Sequence, residues 1–272
     1  MYLNQQNIIF HIKLKLRKMQ GPVLMHGLIR FLFLPISVTL LYAISYSAEW
    51  RISPIRIELS PRDKSVSITI FNEDKFPINF QVKAMEWTQD ETGKDIYTET
   101  EDIIFFPKVF TVEPNKERLI RIGVKNINLQ KERTYRLYVE EIPSAESKEG
   151  VAVRIALRFG IPIFIKSLKE ENKWEIKKKS IEKGTFILEI ENTGTQHFYV
   201  NYIKITGKNN DLSEKDVFSK EIKGWYILSG AKRIFKEKID DCDKIKNINF
   251  QIVTDRFSFD DTIKVSKESC GH

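Results

Sequence analysis

From Trp50 onward, apolar residues recur at every second position in short runs separated by polar turns, and no window sustains a helical period. That grammar predicts an all-β chain. Residues 65–71 (SVSITIF) alternate and stop at Asn72-Glu73-Asp74-Lys75; residues 78–85 (INFQVKAM) alternate again after Pro77, and residues 118–124, 135–139 and 151–165 continue the series. Roughly seven short strands per hundred residues is the spacing of an immunoglobulin-like sandwich. A polar stretch at residues 167–172 (SLKEEN) marks a domain boundary. The second half repeats the pattern at 185–194, 198–205, 224–228, 233–239, 248–253 and 262–265, which predicts a smaller second sandwich of six strands. The fold expected is therefore all-β, two immunoglobulin-like β-sandwich domains in tandem, residues 48–167 and 168–272.

The first 47 residues differ in kind. They hold five basic side chains (Lys13, Lys15, Arg17, Lys18, Arg30) and no acid, followed by an apolar run at 31–44 that is short for a membrane span and contains Pro35. Ser45 and Ser47 stand where a signal peptidase wants small residues, so Ala48 is the expected mature N-terminus of an exported, periplasmic protein; Met25 opens a conventional signal peptide of its own. Charge is redistributed by this division. Of the 44 Lys and Arg, 39 remain beyond the leader against 37 Asp and Glu, so most of the net +7 belongs to the leader and no nucleic-acid footprint is expected. The two cysteines, Cys242 and Cys270, both lie near the C-terminus. In an oxidising compartment they can close one loop, at about 3 kcal/mol in the chain-entropy picture; the alternative is two unpaired thiols.

Catalytic chemistry has little to build on. Beyond the leader the only histidines are His197 and His272, and GxSxG, HExxH, GxxxxGK[ST] and CxxC are all absent. Asp240, Asp241 and Asp243 lack the spaced oxygens of a calcium loop and read as a solvated turn, and Glu99, Glu101 and Asp102 read as a soluble loop. No enzyme, metal or cofactor is expected.

Residues 151–164 (VAVRIALRFGIPIF) carry more information. Val151, Val153, Ile155 and Leu157 share one face of a strand, while Ala152, Arg154, Ala156 and Arg158 share the other. An interior strand would show this as core and surface. An edge strand would offer the apolar row to a partner by strand addition.

Five segments in order resemble the periplasmic chaperones of the chaperone-usher pilus pathway: residues 52–59 (ISPIRIEL), 66–72 (VSITIFN) followed by Pro77, the stretch from Phe106-Pro107 through Val112-Glu113-Pro114 to Leu119-Ile120-Arg121, residues 135–143 (YRLYVEEIP), and 151–164. The resemblance covers the first domain, residues 50 to 166, and the second is matched only in size and strand content. It implies that a pilin-like subunit lacking its last strand takes Val151, Val153, Ile155 and Leu157 as a donor strand and is then passed to an outer-membrane usher. It also implies that Arg56 binds the subunit's C-terminal carboxylate, a task suited to a bidentate guanidinium. Self-association through the donor strand is the hazard of an uncapped edge.

The pattern is broken at Pro162, where family members carry a second cleft cation, a lysine; with its RFGIPIF ending the chain looks like the divergent, archaic branch. Arg154 and Arg158 are the substitutes within reach, and the missing backbone donor of Pro162 predicts a local failure of strand pairing. The short connection 144–150 (SAESKEG) resembles those of chaperones with ordinary donor strands. The competing reading is a secreted β-sandwich that binds carbohydrate or cell-wall polymer, which needs an exposed aromatic row drawn from Trp87, Trp174, Trp225 and Tyr226.

Overall fold

A computed structural model describes residues 49–125, 129–143, 156–209 and 216–271. Ten strands make the first half: β1 (Trp50–Ser53), β2 (Ile57–Leu59), β3 (Ser65–Asn72), β4 (Ile78–Gln89), β5 (Asp95–Glu99), β6 (Ile103–Phe106), β7 (Val109–Val112), β8 (Glu117–Val124), β9 (Arg133–Ile142) and β10 (Arg158–Ile165). They form two facing sheets, β1-β3-β8-β6 and β2-β10-β9-β4-β5, with β7 also on β4. The period-two rows of the sequence become the filling: Ile68, Ile70, Ile120 and Ile122 from one sheet meet Phe80, Tyr135, Leu137, Val139, Ile161 and Ile163 from the other, all buried.

Eight strands make the second half: β11 (Trp174–Glu182), β12 (Thr185–Asn192), β13 (Phe198–Lys208), β14 (Phe218–Lys223), β15 (Tyr226–Ile227), β16 (Lys232–Lys238), β17 (Asn247–Thr254) and β18 (Ser258–Lys264). Sheets β11-β12-β16 and β14-β13-β17-β18, the latter joined by β15, enclose a second core around Phe186, Leu188, Ile190, Ile203, Ile205 and Phe250. Two strands exceed the six expected, β11 and β14. Strand β11 holds Lys177-Lys178-Lys179 and a bulge between Ile176 and Lys178, so its alternation is interrupted where it forms a charged sheet edge. Cys242 and Cys270 are joined in a disulfide.

Both sandwiches reuse one device at a strand end. Asn72 Nδ2 donates to the carbonyls of Phe76 and Val112, and its Oδ1 accepts from Asp74 N–H. Asn192 Nδ2 donates to Gln196 and Ile227, and its Oδ1 accepts from Gly194 N–H. Each amide adds hydrogen bonds to backbone groups at the end of its strand. Asn192→Ala should therefore destabilise the fold by about 2–4 kcal/mol, through the loss of three buried hydrogen bonds, read as a shift of the denaturant midpoint.

Strand pairing does not fail at Pro162. The β9–β10 ladder runs unbroken from Arg158 to Ile165, with Pro162 opposite Arg136. Backbone direction explains this. Leu157 C=O accepts from Glu141 N–H on the β9 side, while Lys166 N–H reaches Leu59 C=O on the β2 side. Odd-numbered backbone groups thus face β9, and Pro162 turns its missing N–H toward β2, one residue before that strand's pairing begins at Ile57–Ile163.

The two halves meet along a seam. Trp87, Phe164 and Leu228 form a third apolar cluster there, with Tyr97 and Tyr226 against it. Polar contacts flank it: Trp225 Nε1 donates to Asp95 at 2.7 Å, Gln89 Nε2 donates to Tyr226 C=O at 2.9 Å, and Arg233 Nη1 donates to Gly93 C=O at 2.6 Å.

Candidate functional site

One face of the β2-β10-β9-β4 sheet fills the first core, and the opposite face lines the seam. Phe164 stands on that second face, opposite Glu58 of β2 and Thr134 of β9. The same register, carried one residue back along β2, sets Arg56 level with Pro162, and Pro162 lies opposite Arg136. Two arginines therefore flank the proline on one face. With strands about 4.8 Å apart their backbones are about 10 Å from each other, a gap that two guanidinium groups can close around one carboxylate.

Arg56 is held on three sides. Its Nε donates to Glu58 Oε1 at 3.1 Å, its Nη2 lies 2.9 Å from the same oxygen and 3.0 Å from His197 Nε2, and the guanidinium carbon sits 4.8 Å from the Phe164 ring centroid. Glu58 also takes Lys166 Nζ at 3.0 Å. Burial works against its ionisation, but Lys166 and Arg56 outweigh that and hold its carboxyl below the ordinary range.

Arg136 escaped the sequence reading because it looks like an outward residue of an alternating strand. Its row instead faces the second half, and the residue is only 9% exposed. The guanidinium lies 4.1 Å from the Trp87 centroid and 5.9 Å from those of Trp225 and Tyr226, and Nη1 donates to Gly160 C=O at 3.0 Å. Its Nε has no hydrogen-bond partner, and no carboxylate among the described residues pairs with it. A desolvated cation in that state favours an incoming anion. The signal available was its place opposite Pro162, but pairing register is not written in a single strand.

Among the substitutes considered for the missing lysine, Arg158 is committed elsewhere: its Nε contacts Glu140 at 2.7 Å and its guanidinium covers the Tyr138 ring. Arg154 lies outside the described residues, as do Val151, Val153 and Ile155. Leu157 is described and packs, half-buried, against the first core. Its row continues through Phe159, 44% exposed and edge-on to Trp50, into the fully buried Ile161, Ile163 and Ile165. The apolar row of the strand thus runs out of the core at Phe159. The aromatic surface needed for carbohydrate is not formed: Trp87 is buried, Trp225 and Tyr226 face the seam, and Trp174 stacks on Phe257.

Two sandwiches joined at a cleft with paired arginines, and a last strand that carries its apolar row out of the first core, define a two-domain assembly chaperone. Residues 50–167 match the pili and flagellar-assembly chaperone family, PapD N-terminal domain. Over its first sandwich the chain belongs to this family, the pilus chaperones of the chaperone-usher pathway. It is 28% identical to the chaperone protein FanE of Escherichia coli over 193 residues, 66% of this chain and 78% of that one. In fold it is similar to the chaperone of the CsuC–CsuE chaperone–tip subunit pre-assembly complex from the archaic Csu pili of Acinetobacter baumannii, with a TM-score of 0.54 and 21% identity over 80% of this chain and 98% of that one. It is likewise similar to the class 5 fimbriae chaperone CfaA, with a TM-score of 0.52 and 14% identity over 80% of this chain and all of the other.

Proposed function

We propose that the chain is exported to the periplasm by its N-terminal leader, holds pilin-like subunits by donor-strand complementation, and passes them to an outer-membrane usher. The carrying observation is the strand whose apolar row is buried at Ile161–Ile165 and emerges at Phe159 and Leu157, beside a cleft with a cation on each side of Pro162. Val151, Val153, Ile155 and Leu157 fill the subunit's groove. Four aliphatic side chains at about 1.5–3 kcal/mol each supply about 6–12 kcal/mol before ordering costs. Arg56 and Arg136 grip the subunit's C-terminal carboxylate and set the register in which the row is offered. Support comes from the CsuC–CsuE structure, a complex of a similar chaperone with a tip subunit.

The test is co-purification with a pilin-like subunit, set beside the same subunit extended by a few residues at its C-terminus and beside a panel of cell-wall polysaccharides. Retention of the native subunit, about tenfold or more weaker for the extended one, is expected. Retention of polysaccharide without subunit would overturn the chaperone reading.

A further inference from the structure

We infer that His197, supplied by the second half of the chain, is a positioning residue that aims Arg56 into the cleft. This rests on the reading of Arg56 as a carboxylate anchor.

His197 is 2% exposed, and its ring stacks on Phe164 with centroids 3.7 Å apart and planes 12° from parallel. Its Nδ1 lies 2.6 Å from Glu132 Oε1, which also accepts the His197 backbone N–H at 3.0 Å; its Nε2 lies 3.0 Å from Arg56 Nη2. The chemistry of the two partners assigns the protons. A guanidinium has donors only, so Nε2 must accept, and the single ring proton sits on Nδ1 and points at the Glu132 carboxylate. The chain Glu132–His197–Arg56 therefore works in one tautomer and one direction.

Arg56 needs such support. It precedes β2 at a bend, its side chain is one-third exposed, and a free arginine loses about 2 kcal/mol of rotamer entropy on being fixed. Glu58 and His197 hold Nε and Nη2, and Phe164 holds the flat face. The contacts leave both N–H groups of Nη1 without an acceptor among the described residues, which suits them to a ligand carboxylate. Glu58 alone would fix one edge of the guanidinium and leave it free to swing about that edge. The second contact comes from the other half of the chain, so the first half alone does not complete the anchor.

The purified protein is tested with two probes, a soluble strand-forming peptide ending in a free carboxylate and the same peptide ending in an amide. The readout is the ratio of their affinities. His197→Asn keeps an amide donor near Glu132 but cannot reach Arg56, whereas the longer His197→Gln places a carbonyl oxygen where Nε2 stood. The carboxylate preference should fall about tenfold in His197→Asn and return to within about threefold of wild type in His197→Gln, the scale of one hydrogen bond to a charged group. Thermal melts of both variants confirm folding. In the wild-type protein, ¹⁵N NMR should show Nδ1 protonated and Nε2 bare; a proton on Nε2 overturns the inference without any ligand. Arg56→Ala separates the two ideas. If it lowers the preference about tenfold or more while His197→Asn retains it, the positioning role is wrong and the anchor stands. If Arg56→Ala retains the preference, the anchor is wrong and the positioning role falls with it.

Discussion

Replacing Ile155 and Leu157 together by Asp should abolish capture of a pilin-like subunit while leaving the chain folded. Two aliphatic side chains seated in a subunit groove are worth about 3–6 kcal/mol, and two carboxylates forced into the same sites add a desolvation cost, so affinity should drop by more than about a thousandfold. The fold tolerates the change because Leu157 is only half-buried and the row that fills the core begins at Ile161. Capture is measured by co-purification, and folding by a thermal melt monitored at the buried tryptophan Trp87. A folded double variant that retains the subunit as well as wild type would sink the donor-strand mechanism.

Arg136→Met should uncouple stability from binding. The arginine is buried, its Nε is orphaned, and no carboxylate among the described residues forms an ion pair with it. Against that stand one hydrogen bond to Gly160 and the aromatic faces of Trp87, Trp225 and Tyr226. Exchanging an unpaired buried cation for an apolar chain of similar length is commonly neutral or stabilising by about 1–2 kcal/mol, so the melting temperature should hold or rise. Affinity for a subunit with a free C-terminus should fall about tenfold or more, and the extended subunit should be unaffected. A variant that loses stability and keeps affinity would make Arg136 a packing residue and remove it from the anchor. Combining it with Arg56→Ala should remove the remaining carboxylate preference, with a coupling that is not additive if both grip one ligand.

Much of the fold was legible because each half buries one face of each sheet, and burial writes itself as period two. The rows of β3 and β8 in the first half and β12 and β17 in the second are such cases. Strand β11 was missed because its lysines sit at a solvated edge, where alternation is under no pressure. Arg56 could be picked out through a resemblance over residues 52–59, and the structure sets it in the seam. Arg136 could not, since its outward face is solvent-facing by the logic of one sandwich and is covered only because a second sandwich lies over it.

Pro162 divides the two kinds of information most clearly. Composition and alternation by themselves determine that this chain is built of β-sandwiches, that its first 47 residues carry most of its net charge, and that Val151, Val153, Ile155 and Leu157 form an apolar row in the sequence. Which side of that strand the proline's missing N–H faces depends on backbone parity against β2 and β9, and that is decided only by tertiary pairing. The same pairing brings Arg136 opposite the proline, and the docking of the second half sets His197 against Arg56, residues 141 apart in the chain. Local periodicity reports which side chains are buried; the partners they are buried against come from long-range register, which no single segment encodes.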